Sequence, residues 1–166
     1  MGRSEEAQAE VEALAELQKT LAEAKNLYWA RQVGIERTMA SAWLARALGN
    51  DDEAVSLMQD AARTEEDSET HDTLSPGPVG MTAHEALGYL LLELKRPAEA
   101  FQAFEASLRI SKNRLQSYAG AANAAASAGD MDDARTYYGK LVELAAGSDG
   151  ARPEIAEAKT FIEVGK

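Results

Sequence analysis

A spacing of 34 residues recurs in the second half of the chain and limits what the chain can fold into. At this spacing the same order of small, apolar and aromatic residues appears twice. The matching pairs are His84 and Tyr118, Ala100 and Ala134, and Phe104 and Tyr138. A period of this length fits a unit of two helices joined by turns, each unit stacking on the next. The sequence therefore predicts an all-α chain built from helical hairpins.

The residues inside each period point to a particular repeat. Small residues fall in the middle of the first helix, as in Leu87-Gly88 and Ala121-Ala122, and an aromatic residue follows an alanine by four positions in the second. This pattern resembles the tetratricopeptide repeat (TPR) family, although no unit keeps the family's tryptophan and Lys95 stands where the family usually has glycine. The resemblance implies a right-handed α-solenoid of about eight helices that binds other proteins. It implies no cofactor.

The spacing also divides the chain into segments. Gly49 precedes Ala54 by the same interval at which Gly129 precedes Ala134, which indicates a weaker copy of the repeat upstream. We expect a single helical repeat domain over residues 1–166. Its predicted parts are an N-terminal helix at 1–26, a degenerate TPR-like unit at 27–68, an insertion loop at 69–80, TPR units at 81–114 and 115–148, and a capping helix at 149–166.

A loop interrupts the array. Ala54 and Ala100 are 46 positions apart, one period plus 12 residues, and the surplus falls where Ser, Thr, Asp, Pro and Gly cluster. Prolines at 76 and 78 lack the backbone N–H that a helix needs. Long loops in compact repeats are often functional. We therefore take His71, Pro76 and Pro78 as candidates for a lid or a partner contact.

The N-terminal helix carries one apolar stripe, formed by Val11, Leu14, Leu17 and Leu21. Apolar residues at helical spacing must be buried against something. The sequence favours packing on the neighbouring helix. The alternative is a seam with a second copy of the chain, which would make the protein a homodimer or a self-assembling module.

The TPR resemblance indicates which residues would bind a partner. In that family the first helix of each unit lines a concave groove. In this sequence the corresponding positions are Met39, Trp43, Arg46, Glu85, Tyr89, Leu92, Glu93 and Asn123. The alternative is that the aromatic residues Trp43 and Tyr89 are core residues, or are covered by the first helix or the loop.

The net charge of −11 constrains the partner. Such a chain repels phosphate backbones and anionic membrane surfaces, so nucleic acid is disfavoured and a basic or apolar protein segment is favoured. Insertion into a membrane is not expected, because apolar runs such as Leu90-Leu91-Leu92 fall far short of the roughly 20 residues needed to span a bilayer. No secretory signal is apparent, and the compartment stays open.

No catalytic or metal site is predicted. His84-Glu85 opens like a zinc-protease motif, but Gly88 occupies the place of the second histidine. The chain has no cysteine, so thiolate chemistry is excluded. A small-ligand or metal-binding domain under the 68–80 loop is kept as a third alternative, behind the protein-binding scaffold and the assembly module.

A second resemblance concerns the order of segments. A Tyr-Trp helix start, a Pro-Gly loop and a leucine-rich helix ahead of the repeats are similar to features of certain bacterial TPR proteins. On that resemblance the chain would be the C-terminal part of a longer polypeptide.

Overall fold

A computed structural model describes residues 2–71, 80–147 and 152–164, with side chains described from residue 4 to 68 in the first of these ranges. Within these ranges the regular structure is entirely α-helical. The helices are α1 (Gly2–Glu23), α2 (Leu27–Ala47), α3 (Asp51–His71), α4 (Ala83–Glu93), α5 (Pro97–Ile110), α6 (Leu115–Ala128), α7 (Met131–Leu144) and α8 (Pro153–Val164). The all-α prediction is confirmed.

Several helix ends are capped by glycine or by a side-chain oxygen. Gly129 ends α6 with a φ of 87°, a left-handed conformation that glycine adopts without strain. The Asp130 carboxylate then accepts from the Asp133 backbone N–H at 3.1 Å and caps α7. Thr82 Oγ1 accepts from the Glu85 N–H at 3.0 Å ahead of α4. Lys95 adopts a φ of 58°, so it takes the backbone conformation usually reserved for the family's glycine.

Helix α3 extends further than predicted. Helix α3 continues through Ser68 to His71, whereas the sequence indicated a loop from residue 69. Ser68 supports this extension because its buried hydroxyl donates to the Thr64 carbonyl at 2.7 Å, one helical turn back. Pro76, Pro78 and the side chain of His71 lie outside the described residues, so the loop candidates stay a prediction.

The chain divides into two compact units, Met1–Ala86 and Leu87–Lys166, and the boundary falls inside α4. In the N-terminal unit, α2 packs on both α1 and α3. Helix α1 meets α2 closely at Gly34, where an added Cβ would lie 2.5 Å from Gln18 Nε2. The favoured prediction for α1, packing on its neighbour, agrees with this contact. Leu17, however, is 47% exposed and does not contribute to the packed face.

The start of α4 is tied to α3 within the same unit. Both carboxylate oxygens of Glu65 accept from the Ala83 backbone N–H, at 3.1 and 3.0 Å, although the two residues are 18 positions apart. Glu65 is buried, and its carboxylate points to the first turn of α4. The helix dipole favours an anion at this end of a helix. His84 adds a second link, since its Nε2 lies 2.8 Å from Glu66 Oε1.

In the C-terminal unit, α5, α6, α7 and α8 pack in sequence order. Phe104, Tyr138 and Leu141 form the large buried side chains, and alanines fill the space between the helices. The buried hydroxyls of Ser107 and Ser117 join α5 to α6 at 2.9 Å. None of the helices in the described ranges has the length and apolar character to cross a bilayer.

Candidate partner-binding face

Phe104 determines how closely α4, α5 and α6 approach one another in the C-terminal unit. Its ring is completely buried. A Cβ added at Gly88 would lie 2.7 Å from the ring, and one added at Gly120 would lie 2.3 Å from it, well inside normal contact distance. Only glycine therefore fits at these two positions, and α4 and α6 are held side by side against α5.

This packing orients Tyr89. Its ring meets Phe104 edge to face, with centroids 5.1 Å apart and planes at 81°. The Tyr89 hydroxyl donates across to α6, where Gln116 Oε1 lies at 3.2 Å and the Gln116 backbone carbonyl at 3.4 Å. The sequence did not decide whether Tyr89 lines the groove or belongs to the core. The side chain is half-buried, with its ring in the packing and its hydroxyl at the junction of two helices.

The hydrogen bonds continue to α8. Gln116 Nε2 donates to Glu154 Oε1 at 2.8 Å, so one row of polar groups crosses three helices. We call Tyr89, Gln116 and Glu154 the polar row. The pKa of the Glu154 carboxyl lies below its ordinary value, chiefly because the backbone N–H of Glu154 stabilises the anion and then because Gln116 does. The row therefore carries a negative charge at its α8 end at neutral pH.

The polar row is flanked by groups that reach solvent. Leu92 is half-buried, and Glu93 and Asn123 are exposed. Asn123 Oδ1 accepts from the Ser127 hydroxyl at 3.3 Å. We call the polar row together with these three residues, Leu92, Glu93 and Asn123, the inner face. The inner face combines the apolar side chain of Leu92, the hydrogen-bonded polar row and two exposed polar side chains.

The remaining groove candidates belong to the N-terminal unit. Met39 is 7% exposed and Glu85 is 1% exposed, so both side chains lie in the interior. Trp43 is half-buried in a cleft of about 360 Å³ between α1 and α2, beside Ser4, Ala7 and Glu10. Arg46 Nη1 lies 3.1 Å from Asp51 Oδ1. The assignment of these four residues to a groove stays a prediction.

Glu154 was missed in the sequence. Its link to Gln116 spans 38 positions and depends on how α8 packs, which no local pattern reports. The only signal was the dipeptide Pro153-Glu154 at a helix start, where an acidic side chain is common. Among the described residues, no group of three or more His, Asp or Glu side chains is arranged to hold a metal ion.

Two segments of the chain match a known family. Residues 82–114 and 115–147 each match the tetratricopeptide repeat family. No curated protein matches the chain in sequence.

Two solved structures are similar in fold. They are PcrH from Pseudomonas aeruginosa, with a TM-score of 0.58, and PcrH in complex with the chaperone binding region of PopD, with a TM-score of 0.59. Each is 19% identical in sequence, and each alignment covers 79% of this chain and 90% of the PcrH chain. Together with the repeat match, these similarities confirm the predicted fold class, an all-α solenoid of TPR-like hairpins.

Proposed function

We propose that the chain is a non-enzymatic scaffold that holds a segment of another protein on its inner face, and the match of residues 82–114 and 115–147 to the tetratricopeptide repeat family supports this proposal. The observation that carries the proposal is the polar row. Tyr89, Gln116 and Glu154 are fixed to one another across three helices, so their hydrogen-bonding groups are already in place before a partner arrives. Preorganisation of this kind lowers the entropy cost of binding.

The chemistry of the inner face favours an apolar or basic segment. Leu92 offers a half-buried apolar contact, one helical turn from the half-buried Tyr89 on the same helix. Glu93 and Glu154 supply negative charge around these contacts, within a chain whose net charge is −11. An acidic segment would be repelled, whereas a basic one would be attracted and steered to the face.

Asn123 adds a polar contact of another kind. Its exposed carboxamide can donate and accept, which suits the backbone of an extended or helical peptide. The PcrH structure that contains the chaperone binding region of PopD supports the same class of function, because it is a protein of similar fold that holds a segment of a partner.

Reversing the charge of the inner face tests the proposal. The chain is immobilised, exposed to a native lysate, and compared with the double variant Glu93→Lys, Asn123→Lys. We expect the double variant to lose its partner, with affinity at least about tenfold weaker once that partner is purified, because the two lysines repel a basic segment and place charge beside the apolar contact at Leu92.

The matched control is Glu143→Lys, an exposed charge reversal on α7 outside the inner face. It should retain the partner. Equal capture by the wild type and the double variant, with both folded by circular dichroism, would remove the inner face as the binding site.

A further inference from the structure

The polar row of the inner face ends at a carboxylate oxygen that is not hydrogen-bonded. Glu154 Oε1 accepts from Gln116 Nε2 at 2.8 Å. Glu154 Oε2 is shielded from solvent and has no hydrogen-bond partner among the described residues. Shielded polar atoms in folded proteins are nearly always hydrogen-bonded. An unpaired oxygen on a binding face therefore indicates a position that a donor of the partner can fill.

The hydrogen bonds of the row run towards this carboxylate. The Tyr89 hydroxyl donates to Gln116 Oε1, and the Gln116 amide donates to Glu154. Reversing the Gln116 amide would place its oxygen against a carboxylate oxygen, so the orientation of the amide is fixed. The row therefore ends on α8 in an acceptor.

This acceptor is charged. The pKa of the Glu154 carboxyl lies below its ordinary value, so the group is ionised at neutral pH and can accept hydrogen bonds but not donate them. Hydrogen bonds between ionised groups are stronger than those between neutral ones. The group that best completes the site is consequently a cationic donor.

The charge of this chain's own Arg152 does not complete the site. Arg152 attracts the Glu154 carboxylate electrostatically, but it is exposed and does not bond to Oε2. Arg152 and Pro153, the two residues before Glu154, are both exposed, so a bound segment can approach the carboxylate from this side. Glu93, the other acid of the inner face, is exposed, and solvent screens its charge more strongly than that of the half-buried Glu154.

We propose that Glu154 determines the specificity of the inner face by receiving the ammonium group of one lysine in the bound segment. This inference rests on the proposed function and names the residue that the partner must carry. Lysine fits better than arginine, because a guanidinium pairs best with both oxygens of a carboxylate and Gln116 already bonds to Oε1. The compact ammonium group needs only Oε2.

The position of Glu154 also orients the segment. Leu92 lies on α4 and Glu154 on α8, with Gln116 of α6 between them in the polar row. Packed helices lie about 8–10 Å apart, farther than one residue of an extended peptide reaches. The segment therefore crosses the row with an apolar residue on the α4 side and its lysine, not adjacent in sequence, on the α8 side.

Peptide selection on the whole chain tests the inference. Random peptides displayed on phage are selected on the wild type, and those that also bind the Glu93→Lys, Asn123→Lys variant are discarded, which keeps the peptides that need the inner face. We expect these peptides to share one lysine. Acetylation of this lysine in a synthetic copy removes its charge and should weaken binding to the wild type by at least about tenfold.

The variant Glu154→Gln shows whether that lysine meets Glu154. It keeps the shape of the side chain and removes its charge, so the acetylated and unmodified peptides should bind it within about threefold of each other. The matched control is Glu163→Gln, which removes the same charge from an exposed position of α8, two and a half turns away on the opposite side of the helix. With this control the full effect of acetylation should remain. Circular dichroism establishes that each variant is folded.

Three results would overturn the inference. Acetylation that weakens binding equally for the wild type and Glu154→Gln would leave the proposed function in place and remove Glu154 as the partner of the lysine. Tighter binding when arginine replaces the lysine would contradict the single-donor geometry. A selection without any peptide sensitive to Glu93→Lys, Asn123→Lys would remove the proposed function and this inference together.

Discussion

One buried ring sets the spacing of three helices. Phe104 fills the volume that side chains at Gly88 and Gly120 would need, and it also supports the Tyr89 ring of the inner face. A small change at either glycine therefore acts on packing and on the candidate site together. Gly139, on α7, is a helical glycine without this constraint, because nothing described lies within 4 Å of an added Cβ.

We expect Gly120→Ala to lower the free energy of unfolding by about 1–3 kcal/mol, since the added methyl group would overlap the Phe104 ring and force it to move. Gly139→Ala should instead raise it by about 0.5–1 kcal/mol, because alanine restricts the unfolded chain and meets open space. Urea unfolding followed by circular dichroism measures both. Similar effects at the two positions would show that the Phe104 contact does not control the packing.

Two tyrosines of α7 have raised pKa values. Burial raises the pKa of Tyr138 above its ordinary value, and its hydrogen bond to the Glu157 carboxylate raises it further. Tyr137 behaves in the same way through burial and Glu105. A raised pKa in the folded state means that the protonated tyrosine contributes stability below its unfolded pKa of about 10, and that this contribution is lost as the pH rises above it.

The Tyr138→Phe variant tests this sign. At about pH 8 the variant should be less stable than the wild type by about 1 kcal/mol, because it lacks the hydrogen bond. As the pH rises to about 11, the difference in unfolding free energy should shrink. Tyr138 of the unfolded wild type then ionises while the folded protein keeps it protonated, which lowers the stability of the wild type and not that of the variant. Comparing the two proteins cancels the titration of the lysines they share. A difference that grows with pH would contradict the assignment.

At the scale of elements, the sequence predicted the helices well and their connections less well. The 34-residue spacing placed α4 to α7, because the order of residues in one helical hairpin recurs in the next. The end of α3 was predicted too early, since Ser and Thr near residue 70 also suit a loop. Ser68 is buried within α3, and its burial is a consequence of packing that the sequence does not display.

The link from α3 to α4 gives a test at this scale. Glu65→Ala removes the carboxylate that accepts from the Ala83 N–H and leaves that donor buried, so we expect the free energy of unfolding to fall by about 1–3 kcal/mol. Gln59→Ala, at an exposed position of the same helix, should change it by less than about 0.5 kcal/mol. Chemical denaturation compares them. Equal stability of the two variants would mean that Glu65 does not anchor α4.

At the scale of the whole molecule, the net charge could be predicted from the sequence more completely than the candidate site. The net charge of −11 follows from composition, and by itself it limits the class of partner. The inner face could be predicted only in part. The repeat register indicated Tyr89, Leu92, Glu93 and Asn123, but Glu154 joins them through packing over 38 positions, which no local pattern reports.

The same charge predicts a salt effect on stability. Acidic side chains repel one another in the folded chain, and salt screens that repulsion, so Tm should rise by a few degrees between about 20 mM and about 200 mM NaCl. The variant Glu16→Lys, Glu23→Lys changes two exposed residues of α1 and reduces the net charge, so its Tm should depend less on salt. Differential scanning calorimetry measures both. A wild-type Tm that falls with added salt would show that attractive ion pairs dominate instead.

The shared space around Phe104 also has an evolutionary consequence. The Phe104 ring occupies the space that side chains at positions 88 and 120 would need. A larger residue at either position therefore requires a smaller residue at position 104. A descendant that replaced Phe104 with a smaller residue would gain room for alanine at positions 88 and 120, and a later return of the ring would then be blocked. Substitutions at the three sites are therefore expected to accumulate in a fixed order, each one setting which of the next are permitted.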